Sequence, residues 1–472
     1  MTTTTKTLPG VRGRAAPRTT ATLVLASLGS FLAALDVVVV ASALPALQRD
    51  LGADLADLEW TINAYNLVFA CLMLTGAALG DRFGRRRTYT AGLLIFALAS
   101  AGAALADGPG ALIAWRAGQG AGAAILMPMT LTLIVEAFPA GKRGAAIGIW
   151  GGVSGLGVAA GPVLGGAVVD GFSWQWIFWI NVPIALAVAL LTRVLLAESR
   201  GARSHLDLVG LLLAGLGLFA LTWAPVRAPE NGWTSAEVIG ALVAGVVLLG
   251  LFIAWERRTA HPMLPLGYFR RRGFTTANAV IFTQFVSLIG GLFFITQLFQ
   301  IGLGYSPFGA GLRILVWVAM PVLVSPIAGL LSDRIGNKPF MLLGLLLQAA
   351  GLGWLALLVE PGVAYGDLVV PLVVAGIGIA MCFPTTANAV TLALPPDDVA
   401  LAAGTNTALR EIGGVFGVAI LAAVFAAHGG YGSTEMFMAG LRPALLVAAA
   451  IPLAGLIPAA LAPGHHHTEV RR

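Results

Sequence analysis

The chain has 472 residues, of which 58% are hydrophobic and only 11% are charged, and its mean hydropathy is +0.88. Soluble domains carry about 25% charged residues, so this composition excludes a soluble globular protein and a disordered one. The two cysteines, Cys71 and Cys382, lie far apart in apolar runs, which argues against a disulfide framework. The remaining class is a polytopic membrane protein. The chain has room for well over ten spanning helices of about 20 residues each.

Fourteen apolar stretches, each long enough to cross a bilayer, follow one another along the chain. Such long runs in lipid must be helical, because unpaired backbone polar groups there are costly. The first stretch is not a cleaved signal peptide, because it is too long, contains Asp36 and leads directly into another span. The sequence therefore predicts an all-α membrane protein with 14 transmembrane helices. The predicted spans are 21–46, 57–80, 88–106, 110–134, 144–169, 174–196, 206–224, 236–257, 275–301, 308–331, 338–358, 368–394, 402–427 and 437–462.

Basic residues predict the orientation, since loops rich in lysine and arginine stay in the cytoplasm. With a cytoplasmic N-terminus, most of the 28 basic residues fall in inner segments, among them the runs at 85–87 and 270–272. Both termini are therefore predicted to be cytoplasmic. The net charge of +6 reflects this bias and gives no reason to expect a nucleic-acid partner. The first outer loop instead holds acidic residues, namely Asp50, Asp54, Asp57 and Glu59.

An internal repeat relates the two ends of the chain. The segments 120–130 and 376–386 both read G-x-G-x-A-x-x-x-P-x-T, and the inner loop Asp81-Arg82-Phe83-Gly84 is echoed at Asp333-Arg334-Ile335-Gly336. Either echo alone could be chance similarity in a chain rich in Gly and Ala, but both occur in the same order. The copies are eight spans apart, whereas two six-helix halves require a displacement of six. Two spans are therefore inserted between the halves.

The predicted organisation follows from this repeat. The inserted spans carry only mild polar groups, so we expect them to serve packing or lipid contact. The five parts are a cytoplasmic N-terminal tail at 1–20, a six-helix bundle at 21–196, two inserted transmembrane helices at 206–257, a second six-helix bundle at 275–462 and a cytoplasmic C-terminal tail at 463–472.

Ionisable residues inside spans are candidates for function, because burying charge in lipid is costly. Asp36 in the first span and Arg116 in the fourth lie at similar predicted depths, so a pair or a water bridge between them is geometrically feasible. Asp36 is the better proton carrier, and Arg116 could switch it; a static ion pair that only aligns helices is the alternative. Glu411 is a second candidate carrier, with Arg410 beside it. A helix-end charge pair near the interface explains these two equally well.

Two further patterns suggest moving parts. Glycines at 157, 161 and 165 share one face of the fifth span, and Pro162 can kink it, which suits a helix that rocks or seals. Plain close packing accounts for the glycines almost as well. The inner loops that contain Asp81 and Asp333 could latch a closed gate. A topology signal would explain their arginines but not the repeated Asp-x-x-Gly. The predicted gating residues are Asp81, Arg82, Gly84, Arg85, Asp333 and Arg334.

Other polar side chains within spans are weaker candidates for a substrate cavity, since amides often join helices instead. No nucleotide-binding loop, zinc-protease motif or nucleophile elbow occurs in the chain, so an enzyme is not expected. The histidines at 465–467 are interpreted as solvated tail, and neither a metal nor a cofactor is expected. The cavity candidates are Tyr65, Asn66, Gln119, Gln284, Gln297, Asn388 and Asn406.

Together these motifs resemble the major facilitator superfamily, specifically its 14-span drug:proton antiporter branch, over nearly the whole chain. The resemblance implies proton coupling for Arg116, coupling or drug recognition for Asp36, gating for the D-R-x-G loop, and export for the Gly-Pro helix of the fifth span. The residues that carry it are Leu35-Asp36, Ala43-Leu44-Pro45, Gly80 to Arg87, Arg116-Ala117-Gly118-Gln119-Gly120, Gly157, Gly161-Pro162-Val163-Leu164-Gly165-Gly166, Trp174 to Phe178, Ile180-Asn181-Val182-Pro183, and Arg410 to Gly414 with Gly417.

The sequence thus predicts a proton-coupled exporter of a hydrophobic or amphipathic small molecule such as an antibiotic, working by alternating access. We expect a monomer in the inner membrane of a bacterium. A composition rich in Ala, Gly and Arg but poor in Lys suggests a bacterium of high GC content. Two other functions stay open. A proton-coupled importer differs in the direction of flux, and a membrane sensor or scaffold would show no pH-coupled flux at all.

Overall fold

The computed structural model describes residues 19–53, 55–200, 207–232, 234–260, 262, 264–395, 398–430 and 433–464. The predicted tails therefore fall almost wholly outside the described residues, as do the histidines at 465–467 and Asp54. The helices before the proposed insertion are α1 (Thr19–Leu51), α2 (Leu55–Phe83), α3 (Arg85–Ala104), α4 (Pro109–Ala137), α5 (Arg143–Gly171), α6 (Trp176–Trp179) and α7 (Asn181–Leu195). The pair predicted to be inserted is α8 (Leu208–Asn231) and α9 (Ala236–Glu256). The remaining helices are α10 (Arg272–Gln297), α11 (Pro307–Val318), α12 (Met320–Ile335), α13 (Lys338–Leu358), α14 (Tyr365–Leu392), α15 (Val399–His428) and α16 (Thr434–Leu461).

Local sequence explains where several helices begin. The hydroxyl of Ser235 accepts a hydrogen bond from the first turn of α9, and Ser306 and Ser433 do the same for α11 and α16. One predicted span is divided in two: α11 ends at Val318 and α12 begins at Met320, directly before a proline that suits a first helical turn. The described part of the chain contains no strand, so the all-α prediction is confirmed for it.

Eleven described helices are long and apolar enough to span a membrane, and twelve if a bent pair in α2 counts as one span. That pair, Trp60–Met73 and Thr75–Phe83, meets at 51°. Two other predicted spans are not apolar or not long enough to be counted. Helix α3 begins with three arginines, and the apolar part of α8 is the short helix Leu208–Ala224. The chain is therefore a multi-pass membrane protein, while the count of fourteen, the placement of both termini and the domain boundaries stay predictions.

Helices α1–α7 pack mainly on one another and are called the N half; α10–α16 do likewise and are called the C half. The halves meet chiefly where α5 crosses α12 and where α2 meets α15. The pair α8 and α9 packs over this second contact, where Leu218 lies in one apolar cluster with Leu67 and Cys71 of α2 and with Ile412 of α15. The end of the molecule that carries the arginines at 85–87, predicted to be cytoplasmic, is called the inner side.

The internal repeat is also visible in the packing. A Cβ on Gly157 of α5 would lie 2.7 Å from the carbonyl oxygen of Phe31 on α1. A Cβ on Gly413 of α15, its counterpart in the C half, would lie 2.7 Å from the carbonyl oxygen of Phe282 on α10. Each half thus packs a glycine face of one helix directly on the backbone of its first helix.

Candidate functional site

Asp36 and Arg116 form an ion pair inside the N half. Both side chains are completely buried, and Nη1 of Arg116 donates to Oδ2 of Asp36. The guanidinium also donates through Nε to the carbonyl oxygen of Thr61 at 3.0 Å, and it lies 4.6 Å from the ring centroid of Tyr65. The pairing of Asp36 with Arg116, which their similar predicted depths allowed, is therefore confirmed. A buried pair of this kind is stable only while both charges are present and bonded.

The second oxygen of Asp36 is held by two amides. Gln119 donates from Nε2 to Oδ1 at 3.0 Å and to Ser100 at 2.8 Å, and Asn181 donates from Nδ2 to Oδ1 at 2.8 Å. The carboxylate therefore accepts three hydrogen bonds and is matched by one positive charge. Sequence reasoning missed Ser100 and Asn181 as parts of this site. Asn181 stands in the I-N-V-P motif that carried the family resemblance, which is the signal that could have identified it.

The glycine face of α5 lies against α1 beside this ion pair. A Cβ on Gly161 would stand 2.8 Å from Cβ of Val38, so only glycine allows this approach. The hydroxyls of Ser30 and Ser154 also meet between the two helices. Gly165 is buried on the same helix, while the side-chain surroundings of Pro162 and Gly166 lie outside the described residues. Helix α5 is thus in direct contact with the backbone around Asp36.

On the inner side, Asp333 of α12 bonds to the first turn of α5. Its two carboxylate oxygens accept hydrogen bonds from the backbone N–H groups of Gly144 at 2.8 Å and Ala145 at 2.9 Å. A carboxylate at a helix N-terminus is favoured both by these free donors and by the helix dipole. One turn further along, a Cβ on Gly148 would lie 2.5 Å from the carbonyl oxygen of Ser325. These contacts join the two halves on the inner side.

The matching loop of the N half is held by a separate set of charges. Arg85 is buried, donates to Asp81 at 3.2 Å and also pairs with Glu136 at the end of α4. Glu198, just after α7, accepts a hydrogen bond from the backbone N–H of Arg86 at 3.0 Å. Sequence reasoning missed these two glutamates.

The other predicted gating residues occupy different surroundings. Gly84 has φ of 106°, a conformation that favours glycine, and so ends α2 with a sharp turn before α3. Arg82 and Arg334 are exposed, and Arg82 lies over the ring of Phe83.

Arg410 lies in an aromatic cluster where the halves meet. Its guanidinium carbon is 5.3 Å from the ring centroid of Phe285 and 5.7 Å from that of Phe383. Phe383 in turn stacks on Trp150 of the N half, with centroids 5.7 Å apart and planes inclined by 15°. The side chain of Glu411 lies outside the described residues, so its role stays a prediction.

The predicted cavity residues fall into two groups. Asn66 is exposed and Gln297 is half-buried, so these two are the candidates that the present conformation leaves accessible. The others are buried helix contacts, because buried polar groups need hydrogen-bond partners. Gln119 has already been described. Tyr65 donates to the carbonyl oxygen of Ala33 at 3.3 Å, and Gln284 donates to the carbonyl oxygen of Ile379 at 3.1 Å. Asn388 donates to Asn337 at 3.2 Å, and Asn406 donates to Asn278 at 3.2 Å.

Two helical halves with equivalent glycine contacts, joined on the inner side through Asp333, are an arrangement typical of membrane transporters. The family model of the Major Facilitator Superfamily matches residues 26–320 and 280–470. A tetracenomycin C resistance and export protein of Streptomyces glaucescens is 34% identical over 97% of this chain and 86% of its own. The multidrug resistance protein Stp of Mycobacterium tuberculosis is 36% identical over 86% of this chain and 76% of its own. The chain therefore belongs to the major facilitator superfamily, within its drug-efflux branch.

Solved structures agree on the fold. The proton:xylose symporter XylE superposes with a TM-score of 0.67 at 16% sequence identity, over 93% of this chain and 94% of its own. At that identity the likeness shows the fold alone.

Proposed function

We propose that this protein is a proton-coupled exporter that expels a hydrophobic or amphipathic small molecule, such as an antibiotic, by alternating access in a bacterial inner membrane. The observation that carries the proposal is the buried pair of Asp36 and Arg116, because a carboxylate enclosed in a spanning bundle can bind and release a proton as its surroundings change. The proposal needs no cofactor beyond the proton gradient.

The geometry supports a switch between two arrangements. Arg116 stays charged, whereas Asp36 can be charged or neutral. When a proton binds to Asp36, the pair loses its attraction and the guanidinium is left buried without a counter-charge, which is costly. Movement of α1 and α4, the helices that carry the two residues, then lowers the free energy, because it lets Arg116 reach another partner or water. Release of the proton restores the present arrangement.

Helix α5 connects this switch to the contact of Asp333 with Gly144 and Ala145, which is called the inner latch. Its middle packs on α1 at Leu35 and Val38, which flank Asp36, and its first turn is bonded to Asp333 of the C half. Movement of α1 is therefore transmitted to a helix that already bridges the halves. In the proposed cycle, proton entry from outside loosens the inner latch, substrate enters from the cytoplasm or inner leaflet, and proton release inside precedes export.

The direction of transport and the class of substrate rest on relatives. The proteins named above are a tetracenomycin C exporter and a multidrug resistance protein, and a puromycin resistance protein of Streptomyces alboniger is 36% identical over 90% of this chain. These names support export of antibiotics or drugs. Tetracenomycin C and puromycin are different compounds, so the names also support more than one chemical class of small-molecule substrate for the branch as a whole.

Expression in a bacterial host that lacks its own efflux pumps tests the proposal. We expect raised resistance to at least one compound in a panel of antibiotics and dyes, and loss of that resistance when a protonophore collapses the gradient. Inverted membrane vesicles then establish direction, since an exporter accumulates the labelled compound inside them. Uptake into right-side-out vesicles would indicate an importer, and the absence of pH-coupled flux for every compound would indicate a sensor or scaffold.

A further inference from the structure

The segment 257–272, which joins α9 to α10, carries five arginines and no acidic residue. It is called the basic segment. Its arginines stand in two groups, at 257–258 directly after α9 and at 270–272 where α10 begins. All five side chains are exposed. Each end of this connection therefore presents a cluster of positive charge beside a helix that is predicted to span the membrane.

The arginines of the basic segment have no acidic partners. Within the part of the chain that the structure describes, no carboxylate forms an ion pair with them, although Arg271 donates from Nη1 to a backbone carbonyl oxygen at 3.2 Å. The run at 85–87 differs, because each of its arginines has a carboxylate oxygen within 3.6 Å, from Asp81, Glu136 or Glu198. A topology signal requires only that arginines lie on the inner side, which the paired run satisfies as well. The unneutralised charge of the basic segment is therefore available to an anion from outside the chain.

The basic segment is fixed on the inner side of the molecule. Leu264 is buried in one apolar cluster with Leu196, whose carbonyl oxygen accepts a hydrogen bond from Arg86 at 3.0 Å. The hydroxyl of Tyr268 donates to the carboxylate of Asp398 at the start of α15. The segment therefore holds its arginines in place before a ligand arrives, which reduces the entropy that binding would cost.

The surroundings of the arginines face lipid rather than open water. Among the described spanning helices, α9 has the smallest buried share, and Ile253 and Trp255 near its inner end are exposed. The indole of Trp255 donates to Asp207 at 2.9 Å, and a tryptophan with an apolar body and a polar partner is typical of the membrane–water interface. The arginines at 257–258 follow at once. At the other end of the segment, Phe269 is exposed directly before the second group. Both groups therefore lie at the level of lipid headgroups.

We infer that the basic segment binds the phosphate groups of anionic phospholipids, such as phosphatidylglycerol, in the leaflet on the inner side. Clusters of arginine beside spanning helices attract anionic headgroups, and a guanidinium binds phosphate oxygens in pairs. The acyl chains lie against the exposed apolar end of α9, a contact that a soluble phosphate cannot make. Lipid binding at this place goes beyond the proposed function and does not depend on export.

Two fluorescent lipids with the same label and acyl chains test the inference: phosphatidylglycerol, which is anionic, and phosphatidylcholine, which has no net charge. Each is titrated into the purified full chain in a nonionic detergent, and fluorescence anisotropy reports binding. Each arginine near an anionic headgroup contributes a factor of about five, so we expect phosphatidylglycerol to bind about 10- to 100-fold more tightly. The preference should shrink in 1 M salt, where the screening length is about 3 Å. Equal affinities at low salt would overturn the inference.

Variants then assign the preference to the basic segment. Arg270→Gln together with Arg272→Gln should lower the affinity for phosphatidylglycerol by about 5- to 25-fold and leave phosphatidylcholine unchanged. The same two positions changed to Lys should keep most of the preference, because the charges remain. Arg86→Gln together with Arg87→Gln is the matched control. It removes two charges from the same side that already have a carboxylate partner, so the preference should stay.

The inference fails if the Gln pair at 270 and 272 leaves the preference intact, or if the control pair lowers it as strongly, since net charge alone would then explain it. Loss of the preference in the Lys pair would show that the Gln pair acts by disturbing the fold. Displacement of the labelled lipid by glycerol phosphate as effectively as by unlabelled phosphatidylglycerol would identify a site for soluble anions instead. These measurements need neither a proton gradient nor a drug, so their outcome is separate from that of the efflux experiments.

Discussion

Asparagine at position 36 should separate the folding role of the buried carboxylate from its role in coupling. The substitution keeps the size and shape of the side chain but removes the charge and the exchangeable proton. In the structure Arg116, Gln119 and Asn181 all donate to Asp36. An amide offers one acceptor oxygen to these three donors, and its own NH₂ group would face some of them.

The structure indicates how large the effect on stability should be. Removing one partner of a buried ion pair costs roughly 3–5 kcal/mol, because the other charge is left uncompensated. We expect Asp36→Asn to lower the free energy of unfolding by that order, and a further Arg116→Gln to recover part of the loss. Asp50 is exposed near the end of the same helix, so Asp50→Asn should change stability by no more than about 0.5 kcal/mol. Chemical unfolding of the unmodified protein and these three variants, purified in detergent, measures the differences.

Transport by the same variant tests coupling. In proteoliposomes with an imposed pH gradient, efflux by Asp36→Asn should fall to the rate of passive leakage, since an asparagine cannot carry a proton. Exchange of labelled for unlabelled substrate at equal pH should continue, because it requires no net proton movement. Efflux by the folded variant against a gradient, at a rate comparable to that of the unmodified protein, would show that Asp36 is not the coupling residue.

Two further predictions concern the inner side. Asp333→Asn should weaken the contact between α12 and α5, because its amide nitrogen cannot accept the second backbone hydrogen bond. A loss of about 1–2 kcal/mol raises the population open to the inner side by about 5–30-fold. Spin-label distances between α5 and α12 measure this population. Unchanged distances would show that the latch does not hold this state. Gly148→Ala should slow transport, since its Cβ would press on the carbonyl oxygen of Ser325, whereas Gly141→Ala has open space and should not. Equal transport rates for the two variants would contradict a role for this close contact.

Sequence reasoning succeeded where a property depends on position along one helix. The depths of Asp36 and Arg116 follow from the rise per residue, and the structure pairs them as that depth allowed. The glycine face of α5 follows from a spacing of four residues, and it packs on α1. The apolar runs likewise predicted helices, because lipid permits little else.

What the sequence could not provide is which helix faces which. Asn181 reaches Asp36 from a helix far along the chain. Glu136 at the end of α4 and Glu198 just after α7 converge on the loop at Gly84. The aromatic cluster joins Trp150 to residues of the C half for the same reason. These contacts depend on how helices are arranged side by side, which no periodic pattern in a single chain records. Several amides assigned to a cavity are buried between helices instead, since polarity alone does not distinguish the two positions.

Simultaneous recording of proton and substrate movement shows whether this protein exchanges protons for the compound that it exports. Purified protein is reconstituted into liposomes that contain a pH-sensitive dye, and an outward concentration gradient of a compound identified in the drug panel is applied with no initial pH difference. We expect the lumen to acidify as the compound leaves, and we expect Asp36→Asn to abolish the acidification. Substrate efflux with no pH change, or with protons leaving alongside the compound, would contradict it.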